Sequence, residues 1–403
     1  MKKLIGLLAF AFLTVSASAD GGKRYLVGFR DGTTIEQRRA ALKALGASEA
    51  DAIPEIGALV AEVPDGVVSF RAFEAGAAAS PDVLDVQEDI YRNWLLESPS
   101  FQSTPFSSAL AGLPVAAKPA ARPQYSLPAG VNAAEVPWGI ARVNAPNAWA
   151  VTMGAGVKVA VIDTGIDCNH PDLKANCAGG YNALDSSKST MDDNEHGTHV
   201  SGTIAGVLDG KGVVGVAPKA RLYAVKVLDK DGAGGLTSII KGLVWAGKNH
   251  MDVANMSLGA PMGTIFMRAA VKYAEMMGVT VVAAAGNDGK AVNYPAAYPE
   301  VIAVSALSPV EGIADFSSRG AQVQFIAPGE DVKSSIPGGG YASFDGTSMA
   351  TPHVTGLAAL AVARGAHGVD QVRAALRRAA KRVPGLTPEQ QGAGVVDAAL
   401  LVR

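Results

Sequence analysis

Two patterns of apolar and polar positions divide the chain. From Arg24 to about Glu88 the runs are short and mixed. Residues 24–29 alternate, Thr34 to Leu45 repeats with a helical period, and Gly57 to Val63 is strand-like. Val67 to Ala78 is again helical, and Val83 to Glu88 closes with a strand. From Trp138 onward, short apolar runs stand at 157–162, 221–227, 253–256, 280–285 and 301–304, most of them bordered by Gly, Asp or Asn. Helical periods over 199–205, 237–248, 265–277 and 351–364 stand between or after them. Strands covered on both faces read as unbroken apolar runs, so this half predicts an α/β fold, a mostly parallel sheet with helices on both faces. Functional groups in such sheets gather at the carboxyl ends of the strands.

The strand, helix, strand, helix, strand order of the first half suits a small α+β sandwich of the ferredoxin-like type. Between about Tyr91 and Val136 the composition shifts to Pro, Ala and Ser, which reads as an extended linker open to cleavage. Ahead of everything, Met1-Lys2-Lys3, the apolar run from Leu4 to Val15 and Ala17-Ser18-Ala19 have the three parts of a secretory signal cut after Ala19. Its run of about 12 apolar residues falls short of the roughly 20 that span a bilayer, and later apolar stretches are broken by Gly, Pro or charge. The expected plan is signal peptide 1–19, prodomain 20–90, linker with processing site 91–136 and catalytic domain 137–403. The expected product is secreted, extracellular or periplasmic, and has no membrane anchor.

Composition narrows the partners. A net charge of −2 over 403 residues provides no field that would select nucleic acid or anionic lipid. The two cysteines, Cys168 and Cys177, lie close together in a turn-rich segment bound for an oxidising compartment. A disulfide closing that loop is the natural reading, against a pair of free thiols or half of a metal site.

Three residues at element boundaries carry candidate chemistry. Asp163 ends a strand in Val161-Ile-Asp-Thr-Gly165, His196 opens a helix in His196-Gly-Thr-His-Val-Ser-Gly-Thr203, and Ser348 lies in Gly346-Thr-Ser-Met-Ala-Thr-Pro-His353. Attack on an amide carbonyl needs a hydroxyl activated by an imidazole, and an imidazole oriented by a carboxylate. The acidic run Asp192-Asp193 with Glu195, just before His196, reads as a solvated loop.

These blocks, in the order acid, base, nucleophile that subtilisin itself has, resemble the subtilisin family of serine peptidases from about Trp138 to Leu401. The resemblance implies a serine endopeptidase with Asp163, His196 and Ser348 as its triad. Asn287, in Ala283-Ala-Ala-Gly-Asn287, would form the oxyanion hole with the Ser348 backbone N–H. Gly232 and Gly234, in Gly232-Ala-Gly-Gly-Leu236, and Ser257, Leu258 and Gly259 match the two backbone edges that hold a peptide substrate as an added strand. Leu236 would line a distant apolar pocket, and Asn293 would stand near the floor of the primary specificity pocket. The family's calcium site falls on Asp172 and Asp209, with carbonyls of Val207, Lys211 and Val213. Lys211, and Glu135 in place of a nearby glutamine, depart from that pattern. The first half resembles the family's prodomain, so the chain's own prodomain is expected as inhibitor and chaperone, with its tail from about Ile90 to Pro99 in the groove. The product is expected to act as a monomer on protein or peptide substrates. Two other readings are an inactive binding protein on the same fold and an α/β-hydrolase esterase. The intact set of residues opposes the first, and the chain order opposes the second.

Overall fold

A computed structural model describes residues 22–64, 69–95 and 125–403. The expected signal peptide and most of the expected linker lie outside the described residues. The described residues up to Arg92 and those from Asn93 onward form two compact units.

The first unit is a four-stranded antiparallel sheet with two helices. Its elements are β1 (Gly22–Phe29), α1 (Ile35–Ala44), β2 (Ser48–Ile53), β3 (Ala58–Pro64), α2 (Phe70–Ala79) and β4 (Val83–Glu88), with sheet order β2-β3-β1-β4. Alternation along β1 sends Tyr25, Val27 and Phe29 into a core with Leu42, Leu59 and Phe73, where the Tyr25 and Phe73 rings stack 4.7 Å apart. A capping box starts α1: Gln37 N–H donates to Thr34 Oγ1, and Thr34 N–H donates to Gln37 Oε1. The sequence pattern missed β2. Its residues, Ser-Glu-Ala-Asp-Ala-Ile, line the sheet edge and stay largely solvated, so they lack the apolar alternation that marks a covered strand. With β2 added, the element order is the full β-α-β-β-α-β of the ferredoxin-like type.

The second unit is built on a seven-stranded parallel sheet. In chain order its strands are β5 (Lys158–Asp163), β6 (Cys177–Asn182), β7 (Arg221–Lys226), β8 (Val253–Met256), β9 (Thr280–Ala284), β10 (Ile302–Leu307) and β11 (Val323–Pro328). Across the sheet the order is β11-β10-β9-β8-β5-β7-β6. The central strands are wholly buried, as their apolar runs require. The hairpin β12 (Val332–Ile336) and β13 (Gly340–Phe344) follows. The helices are α3 (His196–Ala205), α4 (Leu236–Lys248), α5 (Ile265–Met276), α6 (Thr347–Ala363) and α7 (Gly368–Ala379).

Helix α6 packs against β8 to β11 and is buried around its whole circumference over its first 15 residues. It begins at Thr347, four residues before the start read from the sequence. Pro352 is the reason. Proline normally marks a first helical turn, but here it is the sixth helical residue. Cys168 and Cys177 are joined in a disulfide, with Cα atoms 5.8 Å apart.

Candidate active site

The sheet brings together residues far apart in sequence. Asp163 is the last residue of β5, His196 the first of α3 and Ser348 the second of α6. They are 0%, 1% and 3% exposed. Asp163 Oδ1 accepts from His196 Nδ1 at 2.8 Å and from Thr164 N–H at 2.7 Å. That bond fixes the orientation of the imidazole ring. Ser348 Oγ donates to the Ser257 carbonyl at 3.1 Å.

The nucleophile side is held by neutral hydrogen bonds. Because Pro352 has no N–H, the Ser348 carbonyl loses its helical donor four residues on. The Ser257 hydroxyl replaces it, donating to Ser348 O at 2.7 Å. Ser257 Oγ is itself held by Asn255 Nδ2 at 3.0 Å, and Asn255 Oδ1 accepts from Thr355 Oγ1 at 2.8 Å, all three residues being fully buried. Asn287 is oriented by Thr347, whose N–H and Oγ1–H both donate to Asn287 Oδ1 at 2.8 Å. The amide N–H₂ group of Asn287 therefore faces away from Thr347. Ser348 N–H belongs to the first turn of α6, where no helical carbonyl can accept it, and the helix N-terminus favours a negative charge there.

The residues expected to hold substrate already hold a strand. Trp94 N–H donates to the Gly232 carbonyl at 3.0 Å, and Gly259 N–H donates to the Trp94 carbonyl at 3.0 Å. Trp94 Nε1 donates to Gly234 O at 2.7 Å. Leu95 lies so close over Gly232 that a Cβ there would meet its side chain at 2.5 Å. Leu236 opens α4 and is buried, as are Leu258 and Asn293.

The base side is held by charge. Asp192 is 4% exposed, not solvated as the acidic run suggested. Its Oδ1 accepts from Thr164 Oγ1 at 2.8 Å and from the N–H groups of Asn194 and Glu195, and its Oδ2 accepts from Thr198 N and Oγ1 at 2.9 and 2.6 Å. Acidic composition concealed this residue because nothing in an Asp-Asp pair marks which member turns inward. His199 is buried, with Nε2 against the carbonyls of Val332 and Ala342 and its ring stacked on Phe344. Burial, with His196 close by, pushes its pKa down to about 3. His353 is likewise buried, with Nδ1 against Met349 O, and burial brings it down to about 4.

The residues expected to bind calcium lie on or against loop 207–213. Asp172 Oδ2 accepts from Val213 N–H at 2.8 Å and Oδ1 from the Tyr341 hydroxyl at 3.2 Å, and the Gly212 backbone approaches the carboxylate too closely for any side chain. Glu135, only 2% exposed, accepts from Gly210 N–H. Among the described residues no three or more acidic, His or Cys side chains converge as a metal cluster, so carbonyls would have to supply most ligands. The carbonyls of Val207, Lys211 and Val213 and the carboxylates of Asp172 and Asp209 are oxygen donors of the kind a hard cation takes.

A doubly wound parallel sheet with an Asp–His pair and a serine at a helix N-terminus defines a serine hydrolase of the acid–base–nucleophile kind. Residues 154–394 match the subtilase family, so the chain belongs to that family and is a subtilisin-family serine endopeptidase. It is 53% identical to subtilisin BL of Lederbergia lenta over 57% of this chain and 84% of that protein. It is 48% identical to subtilisin E of Bacillus subtilis (strain 168) over 58% of this chain and 62% of that protein, and 48% identical to a subtilisin of Bacillus pumilus over 58% and 86%.

Proposed function

We propose that the chain is the precursor of a secreted endopeptidase that removes its own amino-terminal segment and then cleaves extended polypeptides by acyl transfer. The supporting observation is the seating of Asn93 to Leu95 on Gly232, Gly234 and Gly259, the two edges expected to hold substrate. A segment placed there leads the following peptide bond toward the nucleophile, and the residues after Leu95 are where the cut belongs.

In the reaction, Ser348 Oγ attacks the scissile carbonyl carbon while His196 Nε2 takes its proton and Asp163 stabilises the resulting imidazolium. The oxyanion receives hydrogen bonds from Asn287 Nδ2 and Ser348 N–H. Collapse passes the proton from His196 to the leaving amine and leaves an ester on Ser348, and water repeats the sequence to release the acid. Peptides add as a strand between 232–234 and 257–259, with Leu236 and Asn293 shaping side-chain preference. The mature enzyme acts as a monomer. Calcium, held by Asp172 and Asp209 with the carbonyls of Val207, Lys211 and Val213, would pin the loop and supply stability.

The test is to express the chain without residues 1–19, as wild type and as Ser348→Ala, and to read intact masses. Wild type is expected to lose its amino-terminal segment by a cut after Leu95 while the variant stays whole. Two uncut proteins would refute self-processing. Melting in calcium and in chelator checks the cation, which predicts a higher transition temperature with calcium.

A further inference from the structure

We propose that Asp192 and Lys226 are paired positioning residues that set the geometry and charge of the Asp163–His196 couple by gripping Thr164 from opposite sides. The proposal rests on reading Asp163 and His196 as the acid and base of a working peptidase.

Thr164 is the residue immediately after Asp163, and each of its polar groups is engaged. Its N–H donates to Asp163 Oδ1, its hydroxyl donates to Asp192 Oδ1 and accepts from Gly197 N–H at 2.9 Å, and its carbonyl accepts from Lys226 Nζ. Lys226 is directly paired with Asp163 in the β5–β7 register. Its ammonium is buried, donates also to Leu228 O at 3.0 Å and forms an ion pair with Asp193 at 2.6 Å. One loop residue pair, Asp192-Asp193, thus closes both halves of the grip.

The loop also carries strain. Glu195, between Asp192 and His196 in sequence, has φ 128°, a conformation that L residues other than glycine adopt at a cost of about 1–3 kcal/mol. Asp192 stabilises that turn by accepting from Glu195 N–H, and it secures the next turn through Thr198. Without Asp192 only the Gly197 N–H bond would still join Thr164 to the first turn of α3.

Charge gives the arrangement a second consequence. Asp163 and Asp192 are two buried carboxylates joined through one residue, and Lys226 is the buried cation beside them. The other titratable groups nearby are His199, one turn along α3 from His196, and Asp193, which meets the network through Lys226; His353 on α6 is close to His199. Lys333 of β12 is turned aside over the Tyr341 ring. Removing the cation leaves the imidazolium form of His196 better stabilised, and removing the Asp192 charge does the reverse.

Lys226→Met and Asp192→Asn, purified from expression of the full chain, should each lower kcat about tenfold or more with KM within about twofold, because the couple is misplaced while the substrate edges are untouched. The acid limb of kcat/KM should rise by about half a pH unit or more in Lys226→Met and fall in Asp192→Asn. Lys226→Arg, which keeps the charge, should hold the parent acid limb. Limbs that stay in place, or move the same way, in variants that still melt cooperatively would overturn the proposal. So would loss of cooperative melting in both, which would assign the pair to the fold alone. An inactive parent would instead count against the peptidase reading.

Discussion

The two halves of the candidate site are fastened by different physics. Around Ser348 the fastening is neutral: Ser257, Asn255 and Thr355 secure its carbonyl, and Thr347 aims Asn287. Around His196 it is ionic, with Asp163, Asp192 and Lys226 all buried within one network. Neutral hydrogen bonds fix direction at little desolvation cost, which suits donors that must point at a charge appearing only in the transition state. Buried charges are costly unless paired, but they fix the protonation state of a base as well as its position. The nucleophile half should therefore respond to substitutions of shape and be indifferent to charge, and the base half the reverse.

The largest expected effect on the neutral half is at the oxyanion. Asn287→Leu should lower kcat by about 10² to 10³ with little change in KM, the size measured on removing the corresponding donor of subtilisin itself. Thr347→Val, which keeps shape but removes the hydroxyl donated to Asn287 Oδ1, should cost less, about tenfold in kcat, a hydrogen bond's worth of orientation. Steady-state kinetics at one pH separate them. If the Thr347 variant equals the parent, the amide is oriented by something else.

Acid tests both halves at once, because each has one buried neutral histidine, His199 on α3 and His353 on α6. Their folded pKa values, about 3 and about 4, lie below the ordinary value of 6.5, so the unfolded chain binds protons that the folded one refuses. Stability from this source is fully present above about pH 6.5 and is lost as pH falls toward 4, at about 1.4 kcal/mol per pH unit for each histidine. Denaturant melts at pH 7 and pH 5 should show the fall, and His353→Asn should flatten it by roughly half. An unchanged slope in that variant would mean that its site does not exclude the proton.

How far the sequence revealed these halves follows from the same contrast. The parallel sheet was legible because its strands are buried on both faces and unbrokenly apolar, as at residues 280–284. Asp163, His196 and Ser348 were legible because each stands at an element boundary within two residues of a glycine. Thr347 was within reach, being part of the quoted Gly346-Thr-Ser block. Asp192 and Lys226 were not: a buried charge is visible only when its partners are, and Thr164, Asp193 and Leu228 come together through β5, β7 and a loop. Strand β2 escaped for the opposite reason, since an edge strand open to water has no apolar signature.

The smallest effect sharpens the comparison most. Pro352 leaves the Ser348 carbonyl without a helical donor, and Ser257 Oγ, just after the end of β8, supplies the missing one. Ser257→Ala removes that donor and also strips a partner from Asn255 Nδ2. Stranding buried polar groups costs about 1–3 kcal/mol, readable as a lower denaturation midpoint. The backbone edge at 257–259 is unaffected, so KM for a peptide should hold while kcat drops a few fold. Because no charge is lost, the acid limb of kcat/KM should stay where the parent has it, in contrast to Asp192→Asn and Lys226→Met. A limb that moved in Ser257→Ala would show that the two halves are coupled through Ser348 and His196, and the division into a neutral half and an ionic half would fail.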